Sequence, residues 1–254
     1  MFDLDGKKGL VVGIANEQSI AAGCAHAFRC AGAELALTFL NEKSQPFVEP
    51  LAKELHATIF EPLDVEEDGA LERVFDRINS QWGRLDFLLH SIAYCPEEDL
   101  HGRVIDCSQE GFARAMDISV HSFIRMARLA EPLMSDGGCL LTLSYYGGEK
   151  VVGHYNVMGP IKAALEGVVK YTVAELGPKG IRVNALSPGP LQTRAASGIS
   201  HFDEIIDEAA KRAPTRRLVT IDEVGAMAAF LVSDEACAVT GDTAYIDGGY
   251  HVMS

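Results

Sequence analysis

Seven short runs of apolar, β-prone residues recur along the chain, at 9–13, 34–39, 58–61, 85–90, 140–143, 181–187 and 243–247. Between most of them the apolar residues return at helical spacing. That spacing predicts helices at 20–30, 67–82, 108 to about 131, near 156 to 177, 202–213 and 221–232. The helix ends carry their own signals: Ser108 stands at an N-cap, Thr220 and Glu223 form a capping box, and Gly177-Pro178 is a helix stop. Strands alternate with helices without a linker, repeat or low-complexity tract. The pattern predicts one α/β domain over residues 1–254, a doubly wound seven-stranded parallel sheet with helices on both faces.

Composition narrows the function classes. The 254 residues are 48% hydrophobic, enough for a large core. A net charge of −14 lacks the basic footprint that phosphate-backbone binding needs, so no nucleic-acid partner is expected. The acidic start Met1-Phe2-Asp3-Leu4-Asp5 is not a signal peptide, and no apolar run reaches membrane-spanning length. A soluble cytoplasmic protein with no membrane partner is therefore expected. The six cysteines form no CxxC pair and read as reduced thiols packed as small hydrophobes. His121 has no partner at metal spacing, and neither HExxH nor a Cys/His cluster occurs, so no metal site is expected.

Candidate chemistry begins at the first strand-to-helix turn, Gly13-Ile14-Ala15-Asn16-Glu17-Gln18-Ser19-Ile20-Ala21. Gly13 lets the backbone come close to a ligand, and the free amides near Ser19 and Ile20 suit a dinucleotide pyrophosphate. The common G-x-G-x-x-G is absent, and an ordinary βα turn is the bland alternative. After the second strand, Leu40 occupies the position where an acid marks NAD and a base marks the NADP phosphate. Asn41 is a candidate for a ribose hydroxyl and Lys43 for a solvated side chain, which leans the cofactor to NADH. Asp64-Val65 follows the third strand, where the aspartate either caps the next helix or meets adenine.

The stretch 141–162, LTLSYYGGEKVVGHYNVMGPIK, organises the rest. Tyr145 and Tyr155 lie near a strand-to-helix crossing, and Lys162 follows the second tyrosine by seven residues. On one helix, seven residues make almost two turns, or roughly 10 Å; Tyr155 and Lys162 would then share a face and hold different parts of one long ligand. Pro160 fits only a first helical turn, so the helix is expected to begin near Asn156 or later, with Tyr155 at its mouth. Past the sixth strand, Pro188-Gly189-Pro190 makes a stiff turn into Leu191, Thr193 and a run of small residues, which predicts a mobile substrate lid over 191–213.

The pieces LSYxG…YNVMG…K, His90-Ser91-Ile92-Ala93, Ser19-Ile20-Ala21, Gly189-Pro190-x-x-Thr193 and Asp247-Gly248-Gly249 span essentially the whole chain. Together they resemble the enoyl-acyl-carrier-protein reductases, a divergent branch of the short-chain dehydrogenase/reductase family. The resemblance implies a Rossmann-type domain, NADH/NAD+ as cofactor, and reduction of trans-2-enoyl thioesters on acyl carrier protein in the last step of fatty-acid elongation. It also implies a homotetramer. Tyr145, Tyr155 and Lys162 become the catalytic candidates: Tyr155 as donor to the enolate oxygen, Lys162 on the nicotinamide ribose, and Tyr145 in the acyl pocket. Cys95, Tyr145 and Tyr155 would touch substrate. Gly13, Ser19, Ile20, Leu40, Asp64, Val65, Ser91, Ile92, Lys162, Leu191 and Thr193 would line the cofactor, Asp64 and Val65 at adenine and Thr193 at the carboxamide. Cys95 and Pro160 depart from the family pattern.

Two rivals remain. An ordinary short-chain carbonyl reductase or alcohol dehydrogenase pairs tyrosine with a lysine four residues on and a serine thirteen residues upstream; Gly159 and Thr142 hold those positions here. A non-catalytic NAD-binding protein would keep the same fold.

Overall fold

The computed structural model describes residues 3–191 and 202–253. The chain runs β1 (Lys8–Val12), α1 (Ile20–Cys30), β2 (Glu34–Phe39), α2 (Gln45–Glu54), β3 (Ile59–Pro62), α3 (Ala70–Trp82), β4 (Phe87–His90) and the short α4 (Glu97–Leu100). It continues through α5 (Gln109–Met116), a π-helical turn (Asp117–His121), α6 (Ser122–Ala130), β5 (Gly138–Leu143), α7 (Met158–Leu176) and β6 (Ile181–Pro188). The last elements are α8 (Phe202–Arg212), α9 (Ile221–Val232) and β7 (Thr243–Ile246).

All seven strands join one parallel sheet in the order β3-β2-β1-β4-β5-β6-β7. Side chains alternate across it and feed two cores. Leu10, Val12, Leu88 and Leu140 pack with α3, α6 and α7, whereas Val11, Leu89 and Leu141 pack with α1, α2 and α9. The expected doubly wound fold is the one observed. Strand order reverses between β1 and β4, which opens a crevice at their C-terminal ends where ligands of such sheets bind.

Small residues set the position of α1. A Cβ on Gly23 would stand 2.6 Å from the Ile221 carbonyl oxygen, and one on Gly225 would stand 2.5 Å from that of Gly23. The α1 and α9 backbones therefore touch at two glycines, and this contact fixes where the N-terminus of α1 meets the crevice.

Several boundaries differ from the sequence pattern, each for a local reason. The helix expected from residue 67 starts at Ala70, because Gly69 takes a left-handed conformation (φ 77°) at its N-cap. The long helix expected from 108 does start at the Ser108 cap, whose hydroxyl accepts from the Gly111 amide at 2.9 Å. It is then interrupted by the π turn, where Ser122 Oγ donates to the Ile118 carbonyl at 2.6 Å and Ser119 turns to the loop after β4. Helix α2, with Pro46 in its first turn, escaped the periodicity reading. The Thr220–Glu223 capping box forms as expected. Among the described residues, no helix is long and apolar enough to cross a membrane.

Helix α7 begins at Met158, so Pro160 sits third in its first turn, where its missing amide has little to lose. Asn156 takes a left-handed conformation (φ 43°) just ahead of it. Tyr155 therefore lies outside the helix, and helical phase does not relate it to Lys162. Its place at the mouth is as expected; the shared helical face is not.

Candidate active site

The crevice is lined first by the turn after β1. Gly13 is left-handed (φ 98°), and a Cβ there would stand 2.0 Å from the Ser91 carbonyl oxygen, so only glycine lets the turn cross the end of β4. The Ser91 amide donates to the Val12 carbonyl at 2.9 Å and locks that crossing. Ser19 caps α1: its hydroxyl accepts from the Ala22 amide at 3.3 Å and donates to the Asn16 carbonyl at 2.8 Å. The amides of Ile20 and Ala21 open the helix with no earlier helical carbonyl to bond, and its first turn carries no acidic residue. That end can take an anion.

Past β2, Leu40 is exposed and Asn41 Oδ1 accepts from the Lys43 and Ser44 amides at 3.1 and 3.2 Å. The loop thus holds the carboxamide oxygen of Asn41, and only its amide nitrogen faces outward tasks. Asp64 does not cap α3; its Oδ1 accepts from the Glu66 amide at 3.0 Å, turning the loop after β3. Val65 is buried in the core, so its side chain is not free to meet a ligand. Ser91 and Ile92 are half-buried. Burial pushes the Cys95 thiol up to about 11, so it stays protonated.

Tyr145 and Tyr155 meet edge to face, their ring centroids 4.8 Å apart at 64°. Desolvation holds both phenols well above their ordinary range, and Tyr145 Oη is buried with no hydrogen-bond partner. Tyr155 leans on Gly147, where a Cβ would stand 2.4 Å from its Cδ1. Next to them, the buried Lys162 ammonium donates to the Leu143 carbonyl at 2.6 Å, and burial pushes it down to about 8 against the opposing pull of Glu166. Ser144 Oγ donates to Glu166 Oε1 at 2.5 Å, and burial raises that carboxyl.

One group escaped the sequence reading. His90, at the end of β4, is fully buried between Thr142 Oγ1 at 2.9 Å and Ser122 Oγ at 2.8 Å. Burial, with Lys162 beside it, pushes it down to about 3, so the ring is neutral. A histidine closing an otherwise apolar strand was the available signal. Its consequence is specific: Thr142, thirteen residues before Tyr155, has its hydroxyl on His90 inside the sheet. Leu191 is buried at the end of the turn after β6; Thr193 and the 192–201 part of the expected lid over 191–213 lie outside the described residues. His121 is exposed and bonded to Asp117 at 2.9 Å, and no metal-binding cluster occurs among the described residues.

The chain and its fold have known counterparts. Residues 13–251 match the family model described as enoyl-(acyl carrier protein) reductase. The chain is 48% identical to enoyl-[acyl-carrier-protein] reductase [NADH] 1 of Rhizobium meliloti strain 1021, over 98% of this chain and 92% of that one. A crystal structure of the Anaplasma phagocytophilum reductase in complex with NAD superposes with a TM-score of 0.96 at 46% identity, covering 100% of this chain and 97% of the other. The Bacillus cereus reductase, crystallised with NADP+ and an indole naphthyridinone, gives 0.97 at 43% identity over the whole of both chains. The chain belongs to the enoyl-(acyl carrier protein) reductase family.

Proposed function

We propose that this protein is an NADH-dependent enoyl-acyl-carrier-protein reductase and that it reduces the C2=C3 bond of trans-2-enoyl thioesters. The observation that carries this reading is a buried, neutral Tyr155 packed on Tyr145 and a buried Lys162 anchored to the Leu143 carbonyl, in a fold whose first helix opens its N-terminus at the crevice. A dinucleotide would lie along the crevice. Gly13, Ser19 and Ile20 would meet the pyrophosphate, Leu40, Asp64 and Val65 the adenosine, and Ser91, Ile92, Leu191 and Thr193 the nicotinamide half. Lys162 has two N–H bonds beyond the one spent on Leu143, and these suit ribose hydroxyls. The bound cofactor supplies a hydride.

Tyr155 donates a hydrogen bond to the thioester oxygen as enolate charge gathers there. In a dry, preorganised site one such donor is worth about 3 kcal/mol. Because its phenol is held protonated, it enters the reaction as a donor and not as a base. Tyr145 braces the Tyr155 ring and, with Cys95, lines the acyl pocket. Carbonyl reduction of the ordinary short-chain type is the poorer reading, since position 159 is glycine and the Thr142 hydroxyl is held by His90.

The acyl group would arrive on acyl carrier protein, and the chain would assemble as a homotetramer; exposed Phe112 on α5, Ile124 on α6 and Tyr171 on α7 supply apolar surface for such contacts. NADH oxidation should be followed with 2-enoyl and 3-keto thioesters on carrier protein and on coenzyme A. Turnover of the 3-keto but not the 2-enoyl compounds would reject the reading. Sedimentation as a stable monomer at micromolar concentration would reject the assembly.

A further inference from the structure

Arg114 joins two loops that serve different ligands. It lies on α5, and its guanidinium forks onto Glu66, Nε to Oε1 at 2.7 Å and Nη2 to Oε2 at 2.8 Å. Its remaining nitrogen, Nη1, donates to Tyr94 Oη at 3.3 Å, and its Cζ stands 4.7 Å from the Tyr94 ring centroid. Glu66 belongs to the loop after β3, where its amide donates to Asp64 Oδ1. Tyr94 belongs to the loop after β4, next to Cys95. The Tyr94 amide donates to Ser119 Oγ at 3.0 Å, and its carbonyl accepts from the same hydroxyl at 3.1 Å. Ser119 is fully buried in the π turn, so the Tyr94 backbone is fixed while its ring takes its position from Arg114.

An exposed ion pair alone contributes about 0–1 kcal/mol, too little to explain such an arrangement as a stability device. A bidentate fork with a third donor and a ring face engaged fixes the guanidinium in one orientation, and fixed orientation is what positioning requires. Charge attraction from Asp64 also reaches Arg114, so Asp64 and Glu66 of the β3 loop both act on it.

We propose that Arg114 is a positioning residue that passes occupancy of the adenosine end of the cofactor site, through Glu66, to the substrate wall at Tyr94 and Cys95, so that cofactor binding raises affinity for the acyl thioester. The proposal rests on assigning the β3 loop to adenosine and Cys95 to substrate. By linkage, the thioester must tighten cofactor binding by the same factor.

The probe is 5′-AMP, which fills the adenosine end without a nicotinamide. Hydrogen exchange of the whole protein should slow over residues 91–100 when AMP binds wild type, and stay unchanged in Arg114→Gln. At saturating NADH, Arg114→Gln should raise KM for a 2-enoyl thioester about fivefold, the low end of typical coupling, with kcat within about twofold. Arg114→Lys keeps the charge but not the fork and should restore less than half of the effect. Should Arg114→Gln fold poorly, Glu66→Gln and Tyr94→Phe read the same link from its two ends. Equal AMP protection in wild type and these variants overturns the proposal, as does wild type that binds NADH but shows no AMP protection. Wild type that binds no NADH overturns the cofactor assignment as well.

Discussion

The Lys162 ammonium donates to the Leu143 carbonyl across 2.6 Å, and both residues are buried. The carbonyl terminates β5, one residue before the loop that carries Tyr145, so the charge is anchored to main chain rather than to a carboxylate. Glu166 lies close enough to raise the lysine's affinity for its proton, yet burial prevails and the group falls to about 8. An unfolded lysine titrates near 10.4. Between these values the unfolded chain holds more protons than the folded one, so stability rises with pH there and the penalty is full below pH 8. Relative to Lys162→Met, wild type should gain about 1.6 kcal/mol between pH 8 and 9.5, with a slope below the limit of about 1.4 kcal/mol per pH unit. Denaturant unfolding of the cofactor-free proteins at both pH values measures this. A difference that is flat with pH would place the ammonium in water.

Tyr155 and Lys162 should separate in kinetics. If Tyr155 is the proposed donor to the enolate, Tyr155→Phe should lower kcat on 2-enoyl thioesters about a hundredfold, with NADH affinity little changed. Lys162→Ala should weaken NADH binding first. Equal losses in both parameters for both variants would mean the two side chains act on the same atoms.

His90 makes a prediction of the same sign at the acid end. Its folded value of about 3 lies below the ordinary unfolded value near 6.5, so its contribution is complete above pH 6.5 and is lost as pH falls toward 3. Wild type should lose about 2 kcal/mol more than His90→Gln between pH 6.5 and 4.5, because glutamine carries no proton into the core. Parallel acid-unfolding curves would show that His90 is already solvated.

The contrast among these residues explains what could be read from sequence. The sheet was legible because each strand is a short apolar run and its neighbours are fixed by βα alternation, and Gly13, Tyr145, Tyr155 and Lys162 fell in motifs whose spacing is local. His90, Thr142 and Ser122 meet from three elements, up to 52 residues apart, and no local pattern shows that they bond to one another. Arg114 and Glu66 are 48 residues apart and equally silent. The π turn was hidden because its residues keep helical apolar spacing, and its cause is two serine hydroxyls bonding across the turn and to Tyr94. Asp64 shows how two local readings are separated: of the cap and the adenine contact that its place after β3 allows, the cap falls away, because Gly69 sets the start of α3 and leaves Asp64 to turn the loop.

Gly147 should prove as important to turnover as the tyrosine it touches. A Cβ there would stand 2.4 Å from Tyr155 Cδ1, 2.8 Å from its Cε1 and 3.2 Å from Tyr145 Cδ1. Neither ring has room to yield: Tyr155 is buried, and Tyr145 already packs edge-on against it. Overpacking of this kind costs about 1–3 kcal/mol, and here relief comes by moving the Tyr155 ring, which displaces its hydroxyl from the thioester oxygen. Gly147→Ala should therefore lower kcat about tenfold or more while NADH affinity, set by Lys162 and the α1 end of the crevice, stays within about twofold. Adding the substitution to Tyr155→Phe should cost little further, because the hydroxyl it displaces is already gone. Full additivity of the two losses would mean that Gly147 acts on catalysis by a route other than Tyr155.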